Sequence, residues 1–210
     1  MKKLALPVLC VAFLAACTNN PKGDKAHTTD EISDTINVLG NTYNINAEHS
    51  VVRWTGSKVT GSHTGTVKIQ SGHIVISDDN KLAGGDFTID MHSILNEDLQ
   101  GNDEYKNKLE NHLKSDDFFA VEANPISTFK ITEVKDATPQ GAQVSGNLTL
   151  RGVTKNISFP VEITSNTDKA FTANADFNIN RKDWGVQYEG MKDDLIADEI
   201  NFKITLSADK

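Results

Sequence analysis

In one segment after another of this chain, apolar side chains fall on every second residue, and that period of two constrains the fold more than any other feature. In "SGNLTLRGVTKNISFPVEIT", Ser145 to Thr164, Leu148 and Leu150 precede a turn and Ile157, Phe159, Val161 and Ile163 follow it. Asn147, Thr149, Arg151, Lys155, Ser158 and Glu162 hold alternate positions. Successive strand side chains point to opposite faces, so this is a hairpin with one dry face and one wet face. The pattern recurs in "SVVRWTGSK" (Val52, Trp54), in "GGDFTIDMHS" (Phe87, Ile89, Met91) and in "STFKITEV" (Phe129, Ile131). "AQVSGNLTL" (Val144, Leu148, Leu150), "AFTANADFNIN" (Phe171, Ala173, Ala175, Phe177, Ile179) and "EINFKITLS" (Ile200, Phe202, Ile204, Leu206) repeat it. "HTGTVKIQSGHIVIS" reads as Val67 and Ile69, a turn at Ser71 and Gly72, then Ile74 and Ile76. About eight such strands with tight polar turns predict an all-β antiparallel sandwich or barrel.

One segment departs from the pattern. "NDEYKNKLENHLKSDDFF" spaces Tyr105, Leu109, His112 and Leu113 by threes and fours, which predicts an amphipathic helix of about three turns, Asp103 to Lys114. Asn102 or Asp103 can cap its start, and the helix is expected to close one side or one mouth of the sheet structure.

The chain opens "MKKLALPVLCVAFLAACTNN": two lysines, an apolar run from Leu4 to Leu14, then small residues before a cysteine. The run is too short to span a bilayer and reads as a secretory signal. Its ending "LAAC" resembles the bacterial lipoprotein signal, which implies that residues 1 to 16 are removed and that Cys17 is lipidated. With only two cysteines in the chain, Cys10 would be lost and Cys17 blocked, so the mature protein would hold no disulfide and no cysteine metal site. Acyl chains on Cys17 would tether it stably to a membrane. Thr18, rather than the Asp that would retain a lipoprotein in the inner membrane, points to the outer membrane of the cell envelope, facing the periplasm. A formal charge of −8 argues against nucleic acid and against an electrostatic hold on anionic lipid. Residues 17 to 40 are polar and aperiodic and read as a flexible tether, leaving residues 41 to 210 as one domain without internal repeats.

The dry face could look at bilayer lipid, at a packed core or at a ligand. The first fits poorly, because aromatic girdles are missing and the acyl chains would already provide the membrane attachment. An eight-stranded barrel is just wide enough to be filled by side chains or to hold one small ligand. Inward positions include Gly56, Gly65, Gly146, Ala173 and Ala175; the glycines read equally as barrel corners or as room, whereas two alanines between Phe171 and Phe177 favour a cavity. By phase, a cavity would be lined by Val52, Trp54, Val67, Phe87, Ile89, Phe129, Ile131, Leu148, Phe159, Ala173, Ala175 and Phe177.

Four ordered segments, "YNINAEHSVVRW", "HLKSDDFFAVEANPISTFKI", "GNLTLRGVTKNISFPVEI" and "INRKDWGV", resemble signatures of the YceI-like family, spread from about Tyr43 to Leu206. The resemblance implies an eight-stranded lipocalin-like barrel with a long isoprenoid lipid, of polyprenyl or quinone type, inside, for sequestration or transport in the envelope. It implies a ligand rather than a cofactor, and a homodimer stays open. Where members carry a histidine after the first strand, this chain has Lys58, with His63 following on the inward phase; Lys58, His63 and Arg181 are the candidate head-group contacts. Arg181 could instead form a surface ion pair with Asp183.

Catalytic constellations are missing: there is no nucleophile elbow, phosphate-binding loop or His-Glu-x-x-His, and His49, His63, His73, His92 and His112 are scattered. "SDDFF" lacks the ligand pattern of a calcium loop and reads as a turn. The alternative to a ligand carrier is an interaction protein with a filled core.

Overall fold

The computed structural model describes residues 20–33 and 38–210. The signal segment and Cys17 lie outside the described residues. In chain order the elements are β1 (His27–Asp30), β2 (Asn41–Ile45), β3 (Val51–Lys58), β4 (Gly61–Ile76), β5 (Leu82–Asn96), α1 (Asp103–Lys114), β6 (Ile126–Thr138), β7 (Gly141–Leu150) and β8 (Val153–Asn166). Then follow β9 (Ala170–Asn180), a 3₁₀ turn at Arg181–Trp184, β10 (Gly190–Met191) and β11 (Asp194–Asp209).

Antiparallel neighbours run β3, β4, β5, β6, β7, β8, β9, β11 and back to β3, so the sheet closes into an eight-stranded barrel. β2 and β3 are two pieces of one stave: both pair with β11 on one side and β4 on the other. The break between them is a turn in which Asn46 Oδ1 accepts from the amides of Glu48 and His49 at 3.2 and 3.3 Å. The β7–β8 hairpin turns on Arg151 and Gly152, with φ of 52° and 73°. Positive φ at both central residues matches the right-handed twist of the flanking strands, and the Arg151 guanidinium ties this turn to the carbonyls of Asp116 and Gly185.

Two expectations change. Ser71 and Gly72 do not reverse the chain: β4 runs unbroken from Gly61 to Ile76, with a register shift at that point. Gly72 has φ of 154° and lies against the backbone of Asp86 and Phe87, so it bends a long stave around the barrel instead of ending it. The N-terminal tether is also not free along its length. Pro21 and Ala26 are buried, β1 pairs antiparallel with β8 from His27↔Ser158 to Asp30↔Lys155, and Lys25 bridges Asn178 of β9 in parallel. Composition gave no hint of this, because the segment buries only Pro21 and Ala26 of its described residues and is otherwise held by hydrogen bonds to β7, β8 and β9.

The helix forms as expected, with Asn102 Oδ1 accepting from the Tyr105 amide at 3.4 Å. It packs against β5 with none of its residues fully buried; Tyr105 is 60% exposed although it shares the spacing of Leu109 and Leu113. The turn after it carries the buried residues, Phe118, Phe119 and Val121, and from the helix the partly buried Leu113 packs against the same cluster and lines its cavity.

Candidate functional site

The inward faces of the staves gather into two apolar clusters along the barrel axis. One holds Trp54, Met91, Ile94, Phe118, Phe119, Phe159, Phe177, Trp184 and their neighbours. The other holds Tyr43, Ile74, Ile76, Leu82, Ile131, Val144, Ile163, Phe171 and Ala173. Phe129, Val161, Leu206 and Ile45 touch both and are only partly buried. Inward-facing groups can stay accessible only if they border empty space, and a cavity of about 220 Å³ lies there. One water needs roughly 10–15 Å³ on this measure, so the void exceeds anything a filled, natively packed core contains.

All twelve residues selected by strand phase line this cavity. Aromatic rings follow one another around its wall: Phe87 to Phe129 at 6.2 Å between centroids, Phe129 to Phe159 at 5.6 Å, Phe159 to Phe177 at 4.0 Å and Phe177 to Phe202 at 6.1 Å. The three inward glycines divide. A side chain at Gly65 would collide with the Trp54 indole, and one at Gly146 with the Phe129 ring, so these two make room for aromatic rings. Only Gly56 faces open space, and it lines the cavity. The lining also contains residues outside the phase-based set, among them Met91, Ile94, Phe118, Phe119, Ile200, Phe202 and Ile204. Alternation in "EINFKITLS" already pointed to the last three, whereas the two phenylalanines of "SDDFF" carried no periodic signal because they sit in a turn.

The wall has little polarity: among the described residues, Ser127, Asn174, Arg181 and Glu199 are the charged, amide or hydroxyl side chains that line it. Arg181 is 1% exposed and is not a surface ion pair with Asp183. Its Nε donates to the Ala197 carbonyl at 2.9 Å and its Nη1 to the Val186 carbonyl at 2.8 Å, tying the 3₁₀ turn to β11. Burial pulls its pKa below the ordinary arginine value, partly offset by Asp198 and Glu189. Lys58 and His63 do not line the cavity. Lys58 Nζ donates to Asp194 Oδ2 at 2.5 Å, and this hydrogen bond holds the Asp194 carboxyl below its ordinary range. His63 Nδ1 lies 2.8 Å from Asp98 Oδ2. Burial alone would push Asp98 up, but bonds from the Thr64 amide, His63 and Asn96 outweigh it and hold the carboxyl low. Of the three expected head-group contacts, Lys58 and His63 are thus paired with carboxylates near strand ends, and Arg181 lines the cavity. Among the described residues, no three His, Cys, Asp or Glu side chains converge as a metal site, and no helix is long and apolar enough to cross a membrane.

Comparisons with known proteins agree with this architecture. The sequence profile of the YceI-like domain matches residues 43–208. A UPF0312 protein of Pseudomonas aeruginosa is 46% identical over 57 residues, 27% of this chain and 29% of that protein. One from Yersinia enterocolitica is 38% identical over 82 residues, 36% of this chain and 41% of that protein. These alignments span less than half the length of the curated relatives. The crystal structure of Burkholderia cenocepacia BcnA superposes with a TM-score of 0.65 at 23% identity, covering 78% of this chain and 99% of that one. A polyisoprenoid binding domain from Saccharophagus degradans superposes with a TM-score of 0.58 at 16% identity, covering 80% and 97%. At these identities the likeness is one of fold.

Proposed function

The chain belongs to the YceI-like family, and on that premise we propose that it is an envelope lipoprotein whose barrel lumen holds an isoprenoid lipid for sequestration or transport. The observation that carries this reading is the 220 Å³ apolar cavity ringed by phenylalanines. A filled-core interaction protein would have no such void. Burying a methylene contributes about 0.8 kcal/mol, so the part of a tail that the cavity admits gains several kcal/mol before ordering costs, more than a head group with few polar partners adds. The tail therefore sets affinity. Arg181 already donates to backbone carbonyls, and Lys58 and His63 are engaged with carboxylates, so the lumen offers a head group few free polar partners. Lipidation of Cys17 would place this binder on the membrane that contains its ligand, with the outer membrane as the destination. No reaction is part of this reading, and homodimerisation would leave the lumen unchanged.

The test is mass spectrometry of an organic extract from a soluble form starting at Thr18, which retains every described residue, purified from its own host. A stoichiometric isoprenoid is the expected result. An extract without lipid from folded barrel would overturn the reading.

A further inference from the structure

The barrel wall is incomplete without the N-terminal segment. β8 and β9 pair from Asn166↔Phe171 to Val161↔Ala175, and there the pairing stops although both strands continue. At the fork, Phe159 and Phe177 stack with centroids 4.0 Å apart. Below it the N-terminal segment lies between the two strands. Asp24 and Ala26 exchange backbone hydrogen bonds with Asn178 of β9, both at 2.8 Å, and β1 follows on β8. The segment runs antiparallel to β8 and parallel to β9, as it must between strands that oppose each other. Ala26 is buried and joins the lumenal cluster, so the segment covers the wall where β8 and β9 part.

This stave is held differently from the others. Within β1 no residue is fully buried, and the Thr28 hydroxyl is buried with no hydrogen-bond partner among the described residues. A recess lined by Lys25 to Thr28 and Asp183 remains beside it. Few buried apolar contacts and many hydrogen bonds near solvent are the marks of a unit that opens without global unfolding. The two apolar clusters contrast with it: Phe118, Phe119 and Trp184 are buried in one, and Tyr43, whose hydroxyl donates to the Thr167 carbonyl at 3.0 Å, is buried in the other.

We propose that the split between β8 and β9 is a lateral portal through which the lipid tail passes, with residues 24–30 as its removable stave. This rests on the reading of the lumen as a lipid site. It also gives the anchor a geometric role. Pro21, docked on the Asn178 side chain, is four residues from Cys17, a reach of at most about 14 Å, so an acyl anchor there would hold the portal beside the bilayer.

The test locks the stave. His27 and Ser158 face each other across the β1–β8 pair, at the Cα separation that suits a disulfide. In the form starting at Thr18, which has no native cysteine, the double variant His27→Cys/Ser158→Cys is delipidated. It is then mixed with phosphatidylcholine vesicles containing long-tailed ubiquinone, oxidised or reduced, and protein-bound quinone is followed in time. Oxidation is expected to slow loading by about tenfold or more, and reduction to restore it. The control lock Arg53→Cys/Lys203→Cys, across the continuous β3–β11 seam, is expected to leave the rate unchanged. Equal rates in the locked and reduced portal variant would overturn the portal and leave the lumen reading intact. Failure of the reduced and unmodified proteins to load any quinone would overturn both. Hydrogen exchange on the unmodified chain tests the same point without a variant: amides of residues 24–30 should exchange faster than those of the paired β8–β9 half, and equal protection would overturn the removable stave.

Discussion

The two halves of the β8–β9 seam carry the same inward pattern and opposite outward ones. In the paired half, Val161, Ile163, Ala173 and Ala175 face the lumen, while Glu162 is exposed and Thr164 and Thr172 share a side-chain hydrogen bond at the surface. In the split half, Ile157, Phe159, Phe177 and Ile179 face the lumen, yet the outward Asn156 and Asn178 are buried. Asn178, 1% exposed, donates to the Pro21 carbonyl and to Glu199 and accepts from Asn201, all at 2.9 Å. Asn147, beside Asn156, both donates to and accepts from the Ile32 backbone. An asparagine side chain carries the same donor and acceptor pair as a peptide group, so on an outward strand face it can dock another backbone segment. Gly23 fits that role: with φ of 143°, it passes where any side chain would meet the amides of Asn178 and Asn201.

The largest effect is expected in the paired half. Phe171→Ala removes a fully buried ring and should destabilise the protein by about 3–5 kcal/mol. In urea unfolding the whole barrel should move as one transition; a separate early transition would mean that the paired half is not the rigid side of the comparison. Asn178→Ala comes next, at about 1–3 kcal/mol, because the Pro21 carbonyl and the Asn201 amide lose a buried partner. Its signature is selective, raising hydrogen exchange in residues 24–30 well above any change in residues 161–175; equal rises would erase the distinction between the halves. Ala175→Phe, at the last paired position, pushes a ring into the void. Co-purifying lipid should fall about tenfold, equivalent to about 1.4 kcal/mol, with the melting temperature nearly unchanged. Unchanged lipid content would count against the cavity as the binding site.

Asp30→Asn should do least. The carboxylate is exposed and accepts a hydrogen bond from Lys155 Nζ at 2.9 Å, and that bond and charge hold it below the ordinary value of 3.8. Asp183 adds to the field at Lys155. A carboxylate with a lowered folded-state pKa contributes fully above its unfolded value and loses that contribution as pH falls through the folded one. The protection factors of the stave amides, which remove the intrinsic pH dependence of exchange, should therefore be flat from pH 5 to 8 and fall only in more acid solution, with less than about a twofold effect of the variant at neutral pH and physiological salt.

Much of the barrel was legible residue by residue. Alternation placed Trp54, Phe129, Phe159 and Phe177 on one face, and all of them reach the cavity wall. Turn chemistry was less readable: Ser71–Gly72 looks like a hairpin signal, yet it bends a stave, because glycine serves a bulge as well as a reversal. Lys58 is picked out by its place after the first strand and His63 by its inward phase, and neither place nor phase reveals partners. Asp194 and Asp98 are more than 30 residues from Lys58 and His63 along the chain, and only folding brings them together.

The sequence alone determined the strand phase, since a period of two assigns each side chain to a face before any strand has found its neighbour. Tertiary structure decided what each face meets. It closed the sheet, filled Gly65 and Gly146 with neighbouring rings while leaving Gly56 open, and laid a polar N-terminal segment into a gap between two strands. Those outcomes depend on backbone hydrogen bonds and ring placement between residues far apart in the chain, and no local pattern of hydrophobicity encodes them.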